Sequence, residues 1–293
     1  MEGVRITKKK IFVNHKNIDD NVVISEDCEI ICDSLSIGAG TVITGATTIH
    51  CKECIIGKNN FINGCMIEGS LTAGNTKIKI GNENLILQNA RLNCNDYLEI
   101  GDDVNIGQYV SIWTHASSMN VFDGYPYTKK PVKIGSHVWI TAGTTVMPGI
   151  KIGSHIVIGN SSIVNTDLPD GCFAAGVPVK IIKENIFPRK LSIQEKRNIL
   201  NDVINEYRNL LKEKPFDATV EIIDDVKIKF SYHNTVTIFD CEKKEIIGAI
   251  TRYSEDFRDF LRYRGIKFFT GKPYQSMKPT WYQDIVKKYH LEK

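Results

Sequence analysis

The sequence predicts a parallel β-helix built on hexapeptide repeats, followed by a smaller α+β domain. Three observations carry that expectation. Ile134, Ile140, Val146, Ile152, Ile158 and Val164 recur every six residues without a break. Glycine follows several of them directly, as Gly135, Gly153 and Gly159. Beyond Pro188 the period is lost and helical, then alternating, patterns take over. A six-residue step fits neither an amphipathic helix nor a hairpin sheet. It fits a coil of three short flat sides, each turning one aliphatic side chain inward. Eighteen residues then close a coil, and stacked coils bury one continuous column. Glycine is expected to supply tight or positive-φ geometry at the corners. A sandwich of short strands would have to be six apart by coincidence at six consecutive positions.

The same step recurs earlier in the chain. Ile37, Ile43 and Ile49 keep it, as do Ile80, Ile86 and Leu92, then Ile100, Ile106 and Ile112. Ile-Gly pairs stand at 37–38, 56–57, 80–81, 100–101 and 106–107. The repeat breaks between Ile112 and Ile134, where Gly124, Pro126 and Pro131 mark a long loop rich in aromatics. Loops of that length in a compact domain are functional or disordered, and the aromatics argue against disorder. The repeat is expected to end near Val164, with Gly171, Gly176 and Pro178 in irregular chain. Ser192 and Glu195 form a capping-box pattern ahead of Ile199, Leu200, Val203, Ile204, Tyr207, Leu210 and Leu211 at helical spacing. Val226, Ile228 and Phe230, then Val236 and Ile238, alternate with polar residues between turn signals, which predicts a small antiparallel meander. A short helix near 254–263 and a basic, aromatic tail complete the chain. The expected domains are therefore 1–188, with the loop at 113–133, and 189–293.

Composition narrows the class. The 293 residues are 42% hydrophobic and 24% charged with a net charge of +3, which describes a soluble globular chain and excludes disorder. No apolar run approaches the roughly 20 residues of a membrane span. Met1 to Lys10 is polar and basic, unlike a signal peptide. Eight cysteines in that setting read as reduced thiols in a cytoplasm. A pI near 8.3 without a recognition motif gives no reason to expect nucleic acid.

Residues 137–183 carry a resemblance. They hold HisValTrpIleThrAlaGlyThrThrValMetProGlyIleLysIleGly, then ValIleGlyAsnSerSerIleValAsnThrAsp, then AlaAlaGlyValProValLysIleIleLys. This order of elements resembles the hexapeptide-repeat acyltransferases, most of all the galactoside, maltose and exopolysaccharide O-acetyltransferases. The likeness is strong over about 98–185 and weaker back to about residue 20. It implies a left-handed β-helix, a homotrimer, and acetyl-coenzyme A as co-substrate between neighbouring copies, with no metal. His115, in Trp113-Thr114-His115, stands where that family has its catalytic histidine. The resemblance also assigns the cofactor side: Trp139, Ala142, Asn160, Asn165, Thr166, Lys180 and Lys183. Family members often have Thr-Lys at 165–166 and Arg at 180 and 183, so this chain meets phosphate with point charges rather than guanidinium forks. Chemistry asks for the histidine independently. Acetyl transfer to a hydroxyl needs a base that takes the hydroxyl proton during attack, and imidazole suits that task near neutral pH.

Other residues admit two readings. Asn89, Asn93 and Asp96 precede the catalytic coil and are candidates for holding acceptor hydroxyls; as turn residues they would bond their own backbone instead. His137 and His155 are 18 apart and should stack at equivalent corners, but a metal site of the γ-carbonic anhydrase kind needs a third histidine that is missing. Cys28, Cys32, Cys51 and Cys54 have metal-like spacings, yet fall where small interior residues suit the coil. The segment from 257 to 293 holds nine aromatics and nine Lys or Arg against three acids. It is either a packed domain with a solvated basic face, or a contact for an anionic glycan or lipid surface through Phe268, Phe269, Trp281 and Tyr282. The expected function is an acetyl-CoA-dependent O-acetyltransferase for a carbohydrate hydroxyl of a surface polysaccharide or its precursor. The alternatives are an N-acetyltransferase of a nucleotide-linked amino sugar, an antibiotic O-acetyltransferase, or a non-enzymatic trimeric scaffold.

Overall fold

A computed structural model describes residues 10–72 and 74–277. The chain divides into two units. One runs up to Pro188 and includes Gly271–Pro273; the other holds Arg189–Thr270 and the chain from Tyr274.

The first unit is a parallel β-helix. A coil visits three sides in turn, shown by Leu98–Ile100 on side I, Asn105–Ile106 on side II and Ser111–Ile112 on side III. Leu98–Ile100 pairs in parallel with Ile78–Ile80 before it and Val132–Ile134 after it. Asn105 and Ile106 lie between Leu85–Ile86 and Trp139–Ile140, and Ser111–Ile112 between Arg91–Leu92 and Thr145–Val146. The aliphatic residue of every repeat named above is at most 2% exposed, so the six-residue period is the interior column. Strict 18-residue coils occur where Ile134 meets Ile152, Ile140 meets Ile158 and Val146 meets Val164. Earlier coils are longer. Ile37 pairs with Ile56, and strands Glu29–Ile37 and Thr48–Ile56 run continuously round one corner.

The glycines of the Ile-Gly pairs have a different reason from the one expected. Gly38, Gly57, Gly81, Gly101 and Gly135 are not at positive φ. A Cβ on any of them would lie 2.6–2.7 Å from a carbonyl atom of the next coil. They are needed for close approach of backbone to backbone, not for unusual dihedrals. The left-handed positions at that corner come two residues later and belong to Asn59, Glu83, Asp103, His137 and His155. The coil also outlasts Val164. Leu168 bridges to Ile152, and Phe173–Ala175 pairs with Val157 and Ile158, carrying side II one layer further. Sequence periodicity missed this layer because its spacing shortens to four and its side II residue is Ala174. Lys180–Lys183 then folds back antiparallel on Phe173–Ala175 and closes the sheet.

Seven of the eight cysteines are buried, and all are free. Cys32 and Cys51 face each other across neighbouring strands with sulfurs 3.9 Å apart. Burial pushes the Cys65 thiol up to about 12. Neighbouring thiols and burial raise Cys32 and Cys54 as well, so these groups stay protonated and unreactive. Among the described residues no three His, Cys, Asp or Glu side chains converge to hold a metal ion. No described helix is long and apolar enough to cross a membrane.

The second unit has two helices and a four-stranded antiparallel sheet. Helix α1, Ile193–Leu211, opens on a full capping box: Ser192 accepts from the Glu195 N–H, and Glu195 accepts from the Ser192 N–H at 2.8 Å. Its buried residues Leu200, Val203, Ile204 and Tyr207 follow helical spacing. The sheet runs Thr219–Asp224, Lys227–Tyr232, Thr235–Asp240 and Glu245–Gly248 as a meander. Helix α2, Arg252–Tyr263, buries Phe257, Phe260 and Leu261 with Tyr207, Phe230, Phe239 and Phe268 in one core. Arg258 is fully buried; its guanidinium meets the Glu255 carboxylate at 2.6 and 3.0 Å and the Phe268 carbonyl at 3.0 Å. This part of the basic aromatic tail is therefore interior rather than surface. Trp281 and Tyr282 lie outside the described residues.

Two outcomes follow from this packing. Gly101→Ala should destabilise the protein by about 1–3 kcal/mol, because the added methyl meets backbone that cannot rotate away; chemical denaturation reads this. Arg189 and the Ser192 amide hold the Glu195 carboxyl at about 2 instead of 4.5. A depressed folded pKa stabilises above the unfolded value and loses that contribution as pH falls through the folded one. Glu195→Ala should thus lower the melting temperature at pH 7, with the difference from the parent shrinking below pH 4.5 and gone near pH 2.

Candidate active site

His115 stands where the chain leaves side III. Its own strand, His115–Ala116, pairs antiparallel with Thr128–Lys129, so the base of the long loop is a short ribbon. The ribbon is tied to the coil by Thr114, whose carbonyl accepts from Lys130 N–H at 2.9 Å. Thr114 is fully buried. Its hydroxyl donates to Asn93, 2.8 Å from the side-chain oxygen and 3.1 Å from the carbonyl, and accepts from the Asp96 N–H at 3.0 Å. This buried cluster fixes the backbone one residue before the imidazole. The His115 ring is half-buried and meets Tyr127 edge-on, with centroids 6.3 Å apart. Farther out, Asn120 caps the short turn Val121–Asp123, and Gly124 takes the left-handed conformation that ends it. The loop is thus built, not slack, although Phe122 at its tip is 96% exposed.

The predicted residues fall on two edges of the prism. Asn93, Asp96 and His115 share the corner after side III. Asn165 and Thr166 join them: Met147 donates to Val164 as Trp113 donates to Val146, so 113, 147 and 165 stack in successive coils. The other group lies on side II and the corner that follows it. Trp139 is in the middle of the strand Val138–Ile140 and 53% exposed. Ala142 and Asn160 stack at the next corner, where Ser161 N–H donates to the Ala142 carbonyl. Lys180 and Lys183 extend the same side and are exposed. Asn89, exposed and left-handed at φ 63°, also belongs to the corner between sides II and III, apart from Asn93 and Asp96. Side III separates the two edges in a single chain.

Asn93 is 8% exposed and its side-chain oxygen is engaged by Thr114. Asp96 accepts from Tyr97 N–H at 2.7 Å through its own carboxylate. Thr114 escaped the sequence reading. Its partner is 21 residues away, and only the coil stacking brings the two together.

No protein-family model matches the chain. Curated relatives do. A galactoside O-acetyltransferase of Escherichia coli is 38% identical over 92 residues, which is 30% of this chain and 45% of that protein. A galactoside O-acetyltransferase of Lactococcus lactis is 40% identical over 85 residues, 28% of this chain and 41% of that one. The chain spans less than half the length of these relatives. Among solved structures, an N-acyltransferase from Bacillus cereus in complex with dTDP-4-amino-4,6-dideoxyglucose and coenzyme A overlaps 66% of this chain and 93% of its own. The TM-score is 0.43 and the identity 22%. The resemblance to hexapeptide-repeat acetyltransferases is borne out by the named sequence relatives and by the β-helix itself.

Thr114→Val keeps the shape and removes the hydroxyl. It should cost about 1–3 kcal/mol, since the Asn93 oxygen and the Asp96 N–H lose buried partners. Hydrogen exchange at the Lys130 amide should accelerate with it, reporting release of the loop base.

Proposed function

We propose that this protein transfers an acetyl group from acetyl-CoA to a hydroxyl of a carbohydrate, of a surface polysaccharide or its precursor, with His115 as general base. The observation that carries the reading is His115 itself. It is half-buried on a backbone pinned by Thr114 and Asn93, at the mouth of the long loop. The sequence relatives named as galactoside O-acetyltransferases support the same reaction class.

The donor supplies the activated thioester, and this chain's residues do the rest. The edge after side II suits a pantetheine arm, because Ala142 and Gly143 are small and exposed and Asn160 offers an amide beside them. Trp139 gives that edge an apolar wall, and Lys180 and Lys183 supply exposed cations for phosphates. Asn165 and Thr166 lie on the His115 edge and complete the groove from the other wall. An imidazole nitrogen of His115 takes the proton as the acceptor oxygen attacks the thioester carbonyl, which raises the nucleophilicity of an otherwise weak alcohol; the carbon–sulfur bond then breaks, and coenzyme A leaves as its thiol with the proton that His115 returns. Asp96 and Asn89 are the acceptor-side candidates; Asn93 acts through Thr114.

Because side III separates the two edges in one chain, the site is complete only between copies. A homotrimer with cyclic symmetry brings the His115 edge of one protomer to the Ala142 edge of the next, three times over. Interior cysteines kept as free thiols agree with a reducing, cytoplasmic setting.

His115→Ala should lower kcat by about 10²–10⁴-fold and leave acetyl-CoA affinity unchanged; unchanged turnover rejects the assignment. Lys180→Ala with Lys183→Ala should weaken acetyl-CoA binding about tenfold or more in calorimetry. Mixed oligomers refolded from these two variants should regain part of the activity, since some interfaces then combine two intact edges. No regain in a confirmed mixed oligomer would place the whole site in one chain.

A further inference from the structure

A groove of about 270 Å³ lies on side II and shares with the transfer site only Trp139. Asp103, Asn105, His137, Trp139, His155 and Phe187 line it. Three consecutive coils contribute Asp103, His137 and His155 at one corner, all in the left-handed conformation, with φ of 52°, 57° and 58°. That conformation is the ordinary geometry of this corner, shared with Asn59 and Glu83, and it aligns the three side chains in register. The two imidazoles stack with centroids 4.7 Å apart and planes within 13°. The Nδ1 of His137 lies 3.3 Å from a carboxylate oxygen of Asp103. One step along the strand, Trp139 sits in register between Asn105 and Val157, both much smaller than an indole.

We propose that this groove binds one neutral sugar ring of the acceptor glycan, stacked on Trp139 and hydrogen-bonded by Asp103, Asn105 and His155. The inference rests on the carbohydrate-transfer reading and extends it from a hydroxyl to a chain of sugars. A pyranose has an apolar C–H face and a rim of hydroxyls that both donate and accept. The lining offers the matching set: the exposed aromatics Trp139 and Phe187, a carboxylate, an amide and imidazole nitrogens. Charge selects among ligands. No Lys or Arg lines the groove, and Asp103 repels anions, so the lining holds no permanent cation for a phosphate or nucleotide diphosphate. The size also fits, being below the range of drug-sized pockets and enough for a single ring. Since Trp139 stands between this corner and the Ala142 edge, a sugar held here lies beside the donor groove rather than at the transferred oxygen. The subsite therefore favours oligosaccharide over monosaccharide acceptors.

The experiment uses the full chain and neutral oligosaccharides of one to seven units, maltose and galactose series, with acetyl-CoA. The parent protein should show a KM that falls with acceptor length. Asn105→Ala with His155→Ala should raise KM for the longer acceptors about tenfold, abolish the length dependence, and leave kcat and acetyl-CoA affinity unchanged. Binding of the same oligosaccharides to the His115→Ala protein, read by calorimetry, tests the groove without transfer. Binding there that the Asn105/His155 changes remove upholds the subsite even if no acceptor is ever acetylated, and that result would sink the transfer reading alone. Transfer with no length dependence and no oligosaccharide binding overturns the subsite alone. Displacement of a bound oligosaccharide by a nucleoside diphosphate, but not by acetyl-CoA, also overturns it.

Discussion

Each coil of the first unit rests its backbone directly on the next at the corner after side I, and nearly everything else depends on that contact. Gly38, Gly57, Gly81, Gly101 and Gly135 allow it; a methyl group at any of these five would penetrate the carbonyl of the adjoining coil. With that spacing fixed, parallel strands on all three sides find their ladder partners, and the aliphatic residues fall into one column. Residue numbers along the chain then become positions along a straight edge. That is how Asp103, His137 and His155 come into line, and how Thr114 comes to lie on Asn93.

The same regularity explains why the one interruption matters. Between Ile112 and Val132 the coil is opened, and the inserted chain would be free to wander if its base were not fixed. Thr114 fixes it with a buried hydroxyl that serves three bonds at once. A buried polar group with its partners satisfied is rigid, because every movement strands a donor or acceptor out of water. His115 inherits that rigidity from its neighbour, whereas Phe122 at the tip of the loop stands exposed.

The second unit obeys different rules. Its core is aromatic rather than aliphatic, with Tyr207, Phe230, Phe239, Phe257 and Phe268 clustered about α1, α2 and the meander. Arg258 is enclosed there because its charge is neutralised by Glu255 and its remaining N–H groups find the Phe268 carbonyl and Thr270. A count of basic residues reads that arginine as surface. Burial with these partners reverses the reading for Arg258, as it does for Phe268.

The sequence by itself determined the class of fold, the interior column, the site of the loop and the capped helix. All of these depend on local spacing: a six-residue period, a capping box, a break in the pattern. Even the expected stack of His137 on His155 required only that coils be 18 residues long. Tertiary structure alone decided which residues share an edge. Asn93 and Asp96 stand with His115 while Asn89 does not, although all three are near neighbours in the chain. The role of the glycines was likewise decided in space, since clearance to the next coil leaves no mark in local sequence. So was the final layer through Ala174, where a small residue keeps the column that the aliphatic pattern had abandoned. The reason is common to all of them. Periodicity reports which way a side chain faces within its own coil, and only the stacking of coils reports what it meets there.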